Sequence, residues 1–321
     1  MTISVLIPAY NCEATIEATL NSALQQTVKP DEILVMDDGS TDSTPSVLNS
    51  FKPHITVFRQ NNKGLSSTRN TLVRRAKSEL IAFLDSDDLW HPDYLKVQLG
   101  LFGRYPNAAG FFTGHVTFVG EENYTWNAAL SEPNPKVEIM DSLSFIRRYA
   151  AAPGPFLPSF CCVPKRVLND MGSKPFKLRI AEDLYFGNML LLQGSIVYDA
   201  RPLGGYRIRA GSLSSNRLRL TKHEVRAFEV LEYHYKRVSE ANLYRAFREA
   251  FAIKRRLYAK TLMGAGRKRE ARAQLKSALS TSPNPLAIAK SCAWLLLSYL
   301  PATWQRKRPQ VYRECIGSTN P

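Results

Sequence analysis

The architecture of this chain follows most directly from residues 80–88, Leu80-Ile81-Ala82-Phe83-Leu84-Asp85-Ser86-Asp87-Asp88. The short, continuous apolar run predicts a buried strand, and three carboxylates begin where that strand ends. In open α/β sheets this is the edge at which ligands bind. Clustered carboxylates repel one another unless a cation or hydrogen-bond donors compensate them, and hard oxygen ligands suit Mg²⁺ or Mn²⁺. An acidic turn after a strand is the alternative that this stretch alone leaves open.

Strand and helix patterns alternate along the residues before this stretch. Apolar runs at 3–11, 32–42 and 55–58 predict further strands, and the second of them also ends in acidic residues. Helical patterns separate these runs, and residues 61–67 open another helix. The order strand, helix, strand, helix, strand, helix, strand favours an α/β fold with a mostly parallel sheet and helices on both faces.

Four motifs in this part of the chain resemble those of the family 2 glycosyltransferases. In order, they are Pro8-Ala9-Tyr10-Asn11, Asp37-Asp38-Gly39-Ser40-Thr41-Asp42, Asn62-Lys63-Gly64 with Arg69-Asn70, and Asp85-Ser86-Asp87-Asp88. A lone DxD motif would be weak evidence for the family. Four motifs in the expected order make the resemblance specific, and it covers roughly residues 1 to 215. It implies an inverting enzyme with a GT-A fold, a Rossmann-like nucleotide-binding sheet with an added acceptor-binding part.

The resemblance also implies a site for a nucleoside diphosphate sugar, with UDP as the expected nucleotide. Asp38 would accept the ring N–H of uracil or thymine, since an ionised Asp only accepts hydrogen bonds; a turn Asp is the alternative. Arg69 would pair with the diphosphate or with Asp38. Asp85 would contact the ribose. The full set expected to bind the nucleotide sugar is Pro8, Ala9, Tyr10, Asn11, Asp38, Lys63, Gly64, Arg69, Asp85, Ser86, Arg207 and Arg209.

The expected cofactor is Mn²⁺ or Mg²⁺. By the same resemblance Asp87 would bind the metal, and Asp88 would be an alternative or second ligand. The ion would offset the charge that builds on the departing nucleoside diphosphate.

A later pair of acidic residues supplies a candidate base. The segment Ile180-Ala181-Glu182-Asp183-Leu184 begins a predicted helix, and complementing the helix dipole is the simple alternative role for its acids. In the family an Asp of a matching Glu-Asp pair is the general base, so the resemblance assigns proton abstraction from the acceptor hydroxyl to Asp183.

The segment 206–214 resembles a part of the family that closes over the diphosphate. Arg207 and Arg209 would bind phosphate there as fixed cations. Many relatives have His where this chain has Arg209, and Arg cannot ligate a metal ion.

Aromatic residues near the expected acceptor site can stack on sugar faces, although such residues are more often part of the core. They are Trp90, Trp126 and Phe156.

The chain has 321 residues and a formal net charge of +15, which lies entirely in the last third. Residues 216–321 contain 22 basic and 7 acidic residues.

Helices are predicted in this region at 222–238, 240–263, 267–280 and 285–300. The last is apolar but too short for a confident transmembrane span, so we expect either a membrane-surface helix near anionic lipid or a helical subdomain packed on the catalytic core. Binding to nucleic acid is not expected, because no recognition motif accompanies the charge.

The predicted organisation is therefore a GT-A domain over 1–215, followed by a basic helical region at 216–321. The GT-A domain would have a nucleotide-sugar half at about 1–118 and an acceptor half at about 119–215.

Five cysteines without a CxxC motif suit a reducing cytoplasm, and no secretory signal is visible. We therefore expect a protein at the inner face of the cell membrane. The expected acceptor is a glycan or lipid-linked sugar. A nucleotidyltransferase and a catalytically silent glycan-binding or scaffold protein are the alternatives.

Overall fold

A mixed sheet flanked by helices forms the centre of the fold. The computed structural model describes residues 1–120, 126, 136–149, 157–208, 216–282 and 284–299. The first half of the chain contains β1 (Ile3–Ala9), α1 (Ile16–Leu24), β2 (Glu32–Asp37), α2 (Thr44–Ser50), β3 (Thr56–Arg59), α3 (Leu65–Arg75), β4 (Leu80–Phe83), β5 (Leu89–Trp90), α4 (Tyr94–Arg104) and β6 (Gly110–Val119).

The remaining elements complete the sheet and add a helical region. They are β7 (Val137–Met140), α5 (Ser142–Tyr149), β8 (Cys161–Pro164), α6 (Lys165–Asp170), α7 (Glu182–Leu191), β9 (Ile196–Ile208), α8 (Arg217–Tyr235), α9 (Ala241–Gly264), α10 (Lys268–Thr281) and α11 (Pro285–Leu297). Each predicted strand and each predicted C-terminal helix is present, with ends shifted by a few residues.

The strand order is β3-β2-β1-β4-β8-β6-β9-β5, and β7 pairs with β9. The first four strands run parallel, with Val5 opposite Ile33 on one side and Ala82 on the other. Beyond them β8 runs antiparallel to both β4 and β6. The predicted α/β class is confirmed, and the sheet is parallel in its nucleotide-binding half and mixed beyond it.

Both faces of the sheet are covered, because the central strands are apolar on both sides. In β1, Val5 and Ile7 face α1 and contact the core that contains Leu20, whereas Leu6 faces the opposite core with Leu72 of α3. These side chains are fully buried. The alternation of one strand between two cores follows from the two-residue period of its side chains.

The C-terminal helices form a third core that reaches back into the first part of the chain. Phe228 of α8 stacks on Phe247 of α9 with ring centroids 5.1 Å apart. The same cluster includes Ile146 of α5 and Tyr185 of α7, both buried. The third core therefore crosses the boundary predicted at residue 215.

Helix α11 has one packed face and one open face. Trp294 is partly buried against the third core, whereas Leu286 and Leu296 are 66% and 71% exposed. The packed face fits the expected subdomain, and contact of the open face with a membrane surface stays a prediction. Among the described helices, none is long and apolar enough to cross a membrane.

Candidate active site

The carboxyl ends of β1, β2 and β4 meet at one edge of the sheet, and the motifs that follow them are linked by hydrogen bonds. The backbone N–H of Asn11 donates to Ser40 Oγ at 3.0 Å, and the backbone N–H of Thr41 donates to Asn11 Oδ1 at 2.9 Å. Asn11 adopts a left-handed conformation with φ of +46°. Tyr10 beside it is about half exposed. The turn after β1 is thus tied to the turn after β2.

Asp38 holds the loop that precedes α3. Its carboxylate accepts hydrogen bonds from the backbone N–H groups of Lys63 and Gly64 at 2.9 and 2.8 Å and from Gln60 Nε2 at 2.7 Å. Gly39 follows with φ of +80°, and a Cβ there would lie 2.9 Å from the backbone nitrogen of Asn62. Only glycine fits this close approach without displacing backbone. Asp38 thus has a supporting role in this structure, and its contact with a nucleotide base stays a prediction.

Arg69 joins two acidic motifs that are far apart in sequence. Its Nη2 donates to Asp85 Oδ1 at 2.5 Å, and its Nη1 donates to Glu182 Oε1 at 3.0 Å. The guanidinium lies 5.3 Å from the centre of the Phe176 ring, and the side chain is 1% exposed. Burial alone would lower the pKa of Arg69, but the charges of Asp85 and Glu182 raise it above its ordinary value. The suggested pairing of Arg69 with Asp38 is not made.

The acidic motif after β4 contains carboxylates in different environments. Asp85 is 27% exposed and Asp87 is partly buried, whereas Asp88 is 2% exposed and accepts a hydrogen bond from the backbone N–H of Arg207 at 3.0 Å. Burial, and then the charges of Asp87 and Asp85, raise the pKa of Asp88 well above its ordinary value. Ser86, between them, is partly buried, and its carbonyl accepts a hydrogen bond from Thr15.

Arg207 supports this acidic loop from inside the fold. Its Nε donates to the carbonyl of Asp87 at 2.8 Å, its Nη1 donates to the carbonyl of Gly120, and its guanidinium lies 4.6 Å from the centre of the Phe118 ring. The side chain is buried. A contact between Arg207 and a diphosphate stays a prediction, and Arg209 lies outside the described residues.

Asp183 lies in the first turn of α7, directly after the residue that pairs with Arg69. The chain enters this helix through Ala181, whose φ is +59°. Asp183 is partly buried, and its Oδ1 accepts the backbone N–H of Leu184 at 2.7 Å. Burial, and then the charge of Glu182, raise the pKa of Asp183 to about 7. A carboxylate with a pKa near neutrality is suited to general base catalysis.

Two contacts from the C-terminal helices fix α7, a carboxylate on α8 affects its first turn, and sequence reasoning missed all of these. Tyr235 donates to Asn188 Oδ1 at 3.0 Å, and the Tyr185 hydroxyl lies 3.4 Å from His234 Nε2. On α8, Glu224 contributes to the raised pKa of Asp183 and accepts a hydrogen bond from the buried Lys254 at 2.8 Å. Polar residues at buried positions of a helix were the available signal, but their partners lie on other elements.

The aromatic residues near the expected acceptor site differ in exposure. Trp90 is 1% exposed, stacks on Tyr94 with centroids 4.3 Å apart and donates to the carbonyl of Ser159. It belongs to the core, so the suggestion that it stacks on a sugar is wrong. Trp126 is partly exposed and makes an edge contact with His91, and Phe156 lies outside the described residues.

Two curated relatives from Escherichia coli match part of the chain. A UDP-Glc:alpha-D-GlcNAc-diphosphoundecaprenol beta-1,3-glucosyltransferase, WfaP, is 36% identical over 133 residues, which are 41% of this chain and 51% of that protein. A chondroitin synthase is 36% identical over 132 residues, which are 39% of this chain and 19% of that protein. The chain thus spans about half or less of the length of these relatives.

Solved structures match nearly the whole chain. The S. aureus TarS 1–349 structure in complex with UDP-GlcNAc has a TM-score of 0.69 at 17% identity and covers 93% of this chain and 89% of that one. The mannosyltransferase PcManGT from Pyrobaculum calidifontis in complex with GDP-Man and Mn²⁺ has a TM-score of 0.59 at 20% identity and covers 95% and 83%. At these identities the likeness establishes the fold.

The family described as Glycosyl transferase family 2 matches residues 4–169, which is just over half of the 321 residues. The matched range contains the four motifs that carried the resemblance and ends before Asp183. The chain therefore belongs to glycosyl transferase family 2.

Proposed function

We propose that the protein transfers a sugar, with inversion, from a nucleoside diphosphate sugar, most simply a UDP-sugar, to a hydroxyl of a glycan or lipid-linked acceptor. The observation that carries this proposal is the ion-pair network of Arg69, which joins Asp85 on the donor side to Glu182 on the base side. One buried guanidinium brings the acidic motif after β4 and the start of α7 into one site. The name of the relative WfaP supports UDP as the nucleotide and a sugar on a lipid diphosphate as the acceptor class.

The proposed reaction is a single displacement. The acceptor oxygen forms a bond to the anomeric carbon while the bond between that carbon and the diphosphate oxygen breaks. The hydroxyl proton moves to Asp183, and the bonding electron pair leaves with the nucleoside diphosphate. The pKa of about 7 makes Asp183 a stronger base than an ordinary carboxylate while leaving it partly ionised near neutral pH.

The residues after β4 fit a divalent cation. Among the described residues, no group of three or more His, Cys, Asp or Glu side chains is arranged to hold an ion. Mg²⁺, however, is commonly bound by one or two carboxylates and completed by substrate phosphates and water. We propose that Asp87 holds Mn²⁺ or Mg²⁺, with the buried Asp88 as an alternative or second ligand. When bound, the ion would stabilise the charge of the leaving diphosphate.

A panel of nucleotide sugars tests the proposed function. Calorimetry in the presence of Mn²⁺ measures donor binding, and product analysis with a synthetic GlcNAc-diphosphate lipid as acceptor measures turnover. We expect release of a nucleoside diphosphate. Release of pyrophosphate would instead indicate a nucleotidyltransferase, and no turnover with any donor would favour the scaffold alternative.

The base assignment is tested by Asp183→Asn, which keeps the shape of the side chain and removes its basicity. Turnover should fall by about 10²-fold or more, with donor affinity nearly unchanged. Asp170→Asn is the matched control, because Asp170 is exposed at the end of α6. If the Asp183 variant lost donor affinity but not turnover, Asp183 would belong to the donor site.

We further propose that the predicted C-terminal region 216–321, which packs on the catalytic part, also touches the inner face of the membrane. The open face of α11 presents Leu286 and Leu296, and Tyr299 just beyond it is 58% exposed. Apolar side chains beside a basic surface suit an anionic lipid interface. Sedimentation with anionic vesicles tests this, and Leu286→Asp with Leu296→Asp should reduce the binding without affecting the packed face.

A further inference from the structure

A cavity of about 630 Å³ lies between the first turns of α3 and the segment that leads to α7. Its walls are not the carboxylates described above. The lining residues are Asn62, Lys63, Gly64, Leu65, Ser66, Ser67, Asn70, Arg74, Lys174, Phe176, Lys177, Leu178 and Arg179.

The lining is strongly basic. Five of its residues are cationic and none is acidic: Lys63, Arg74, Lys174, Lys177 and Arg179. These side chains are exposed, and no salt bridge joins any of them to a carboxylate within the part of the chain that the structure describes. Like charges gathered around one cavity repel each other, and a bound anion relieves that repulsion. The N-terminus of α3 opens into the same space and favours negative charge as well.

Hydrogen bonds hold the two walls of the cavity together. Asn70 is 5% exposed, donates to the carbonyl of Phe176 at 2.7 Å and accepts the backbone N–H of Phe176 at 2.9 Å. Ser66 donates to the carbonyl of Leu178. The segment 174–179 is therefore fixed against α3 before any ligand arrives, so an anion would meet a formed cavity.

The cavity lies beside the ion pairs of Arg69, and it shares Lys63 and Gly64 with the residues predicted to bind the nucleotide sugar. Ser66, Asn70 and Arg74 recur at intervals of four and share one face of α3, whereas Arg69 points away to Asp85 and Glu182. The lining residue Leu178 precedes Asp183 by only a few residues in the sequence. A ligand in the cavity would thus contact the segment that leads into α7, the helix that carries the proposed base.

We propose that this cavity binds phosphate groups of an anionic acceptor and so selects acceptors whose sugar is attached to phosphate. The proposal rests on the proposed function, because it assigns the acceptor side of the same site. Two sources share this chemistry: the diphosphate of a lipid-linked sugar and the phosphate of a soluble phosphate-bearing glycan.

The test compares two triple variants that remove the same charge. Arg74→Gln, Lys174→Gln and Arg179→Gln alter the cavity, and Lys52→Gln, Lys77→Gln and Arg104→Gln alter exposed cations elsewhere. Calorimetry with inorganic pyrophosphate, in the presence of saturating UDP to occupy the donor site, reports on the cavity. We expect the Kd for pyrophosphate to rise by about tenfold or more in the cavity variant and to change little in the control.

Farnesyl diphosphate as a second probe separates the two sources. If it binds at least about tenfold tighter than pyrophosphate, the lipid-linked diphosphate is the source; equal affinity assigns the phosphate-bearing glycan. Equal pyrophosphate affinity in the parent and the cavity variant, or an equal loss in the control, would overturn the proposal. Binding of UDP and nucleotide sugars is measured separately in all three proteins, so a failure of the donor site is distinguished from a failure of the cavity.

Discussion

Two parts of the proposed site are held in place by different kinds of contact. We call them the donor edge, at the carboxyl ends of β1, β2 and β4, and the base helix, α7. At the donor edge, Asp38 binds backbone N–H groups only 25 and 26 residues away. On the base side, Glu182 is paired with Arg69, which is 113 residues away, and Asn188 is bonded to Tyr235 of another helix. The first region is built from neighbouring turns, and the second depends on the docking of separate helices. Changes at the donor edge should therefore affect chemistry more than stability, and changes near the base helix should affect both.

The largest effect is expected for Asp87→Asn at the donor edge. Removing ligand charge where the diphosphate leaves should cut turnover by about 10³-fold, while the melting temperature stays close to that of the parent. Assays with a chelator should reproduce the loss in the parent, and Mn²⁺ or Mg²⁺ should restore activity. Full activity in excess chelator would contradict a role for the metal.

Arg69→Gln should damage both regions at once. It removes the cation between Asp85 and Glu182, and leaving partly buried carboxylates without their partner costs about 3 kcal/mol of unfolding free energy. Chemical denaturation measures that loss, and calorimetry with the donor measures the second effect. Arg75→Gln is the control, because Arg75 is exposed and stacks on Phe58. Unchanged stability in the Arg69 variant would mean that the ion pairs do not join the two regions.

The pH dependence of Asp183 should separate activity from stability. As the proposed base, Asp183 must be ionised, so kcat should rise with pH through about 7. The free energy of unfolding has the opposite dependence on pH. Above the ordinary pKa of 3.8 the unfolded chain loses a proton that the native state keeps until about pH 7. The free energy of unfolding therefore declines as the pH rises toward 7. Asp183→Asn should melt above the parent, by a margin that grows between pH 5 and 8.

A constant difference in melting temperature between Asp183→Asn and the parent across that pH range would contradict the raised pKa. The kcat profile of the parent then serves as an independent check on the same group.

The smallest effect is expected for Tyr235→Phe, which removes the hydroxyl that holds Asn188. Loss of one buried hydrogen bond should cost about 1 kcal/mol and lower kcat a few-fold, with donor Kd unchanged. Tyr233→Phe is the matched control on the same helix, because Tyr233 is 58% exposed. A change in donor affinity with intact kcat would place the influence of α8 at the donor edge.

The sequence was a good guide to the donor edge because its signals are local. An apolar run followed by Asp85, and another followed by Asp37 and Asp38, predict strand ends at one edge of a parallel sheet. The antiparallel placement of β8 was not predicted, because four apolar residues such as Cys161–Pro164 do not reveal the direction in which they pair.

The partners of Arg69 were only partly predictable. Arg69 was expected to pair with the diphosphate or with Asp38, but its carboxylate partners are Asp85 and Glu182. Asp38 and Asp85 both follow strands at the same edge, so the sequence could not distinguish between them. Glu224 and Lys254 were missed altogether, because their role depends on the rotation and docking of α8 and α9, which no local pattern fixes. The nucleotide-sugar contacts and the metal ligands stay predictions.

The shared third core has a consequence for recombining this protein with others. Ile146 and Tyr185, which precede residue 215, are 5% and 1% exposed only because α8 and α9 cover them. A chimera that joined residues 1–215 to a foreign C-terminal region would uncover these side chains and release the helix that begins at Glu182. Donor binding could survive such an exchange, while transfer would require the new region to supply equivalents of Phe228, Tyr235 and Glu224. The C-terminal third is thus not an interchangeable appendage, and its replacement requires matching changes in α7.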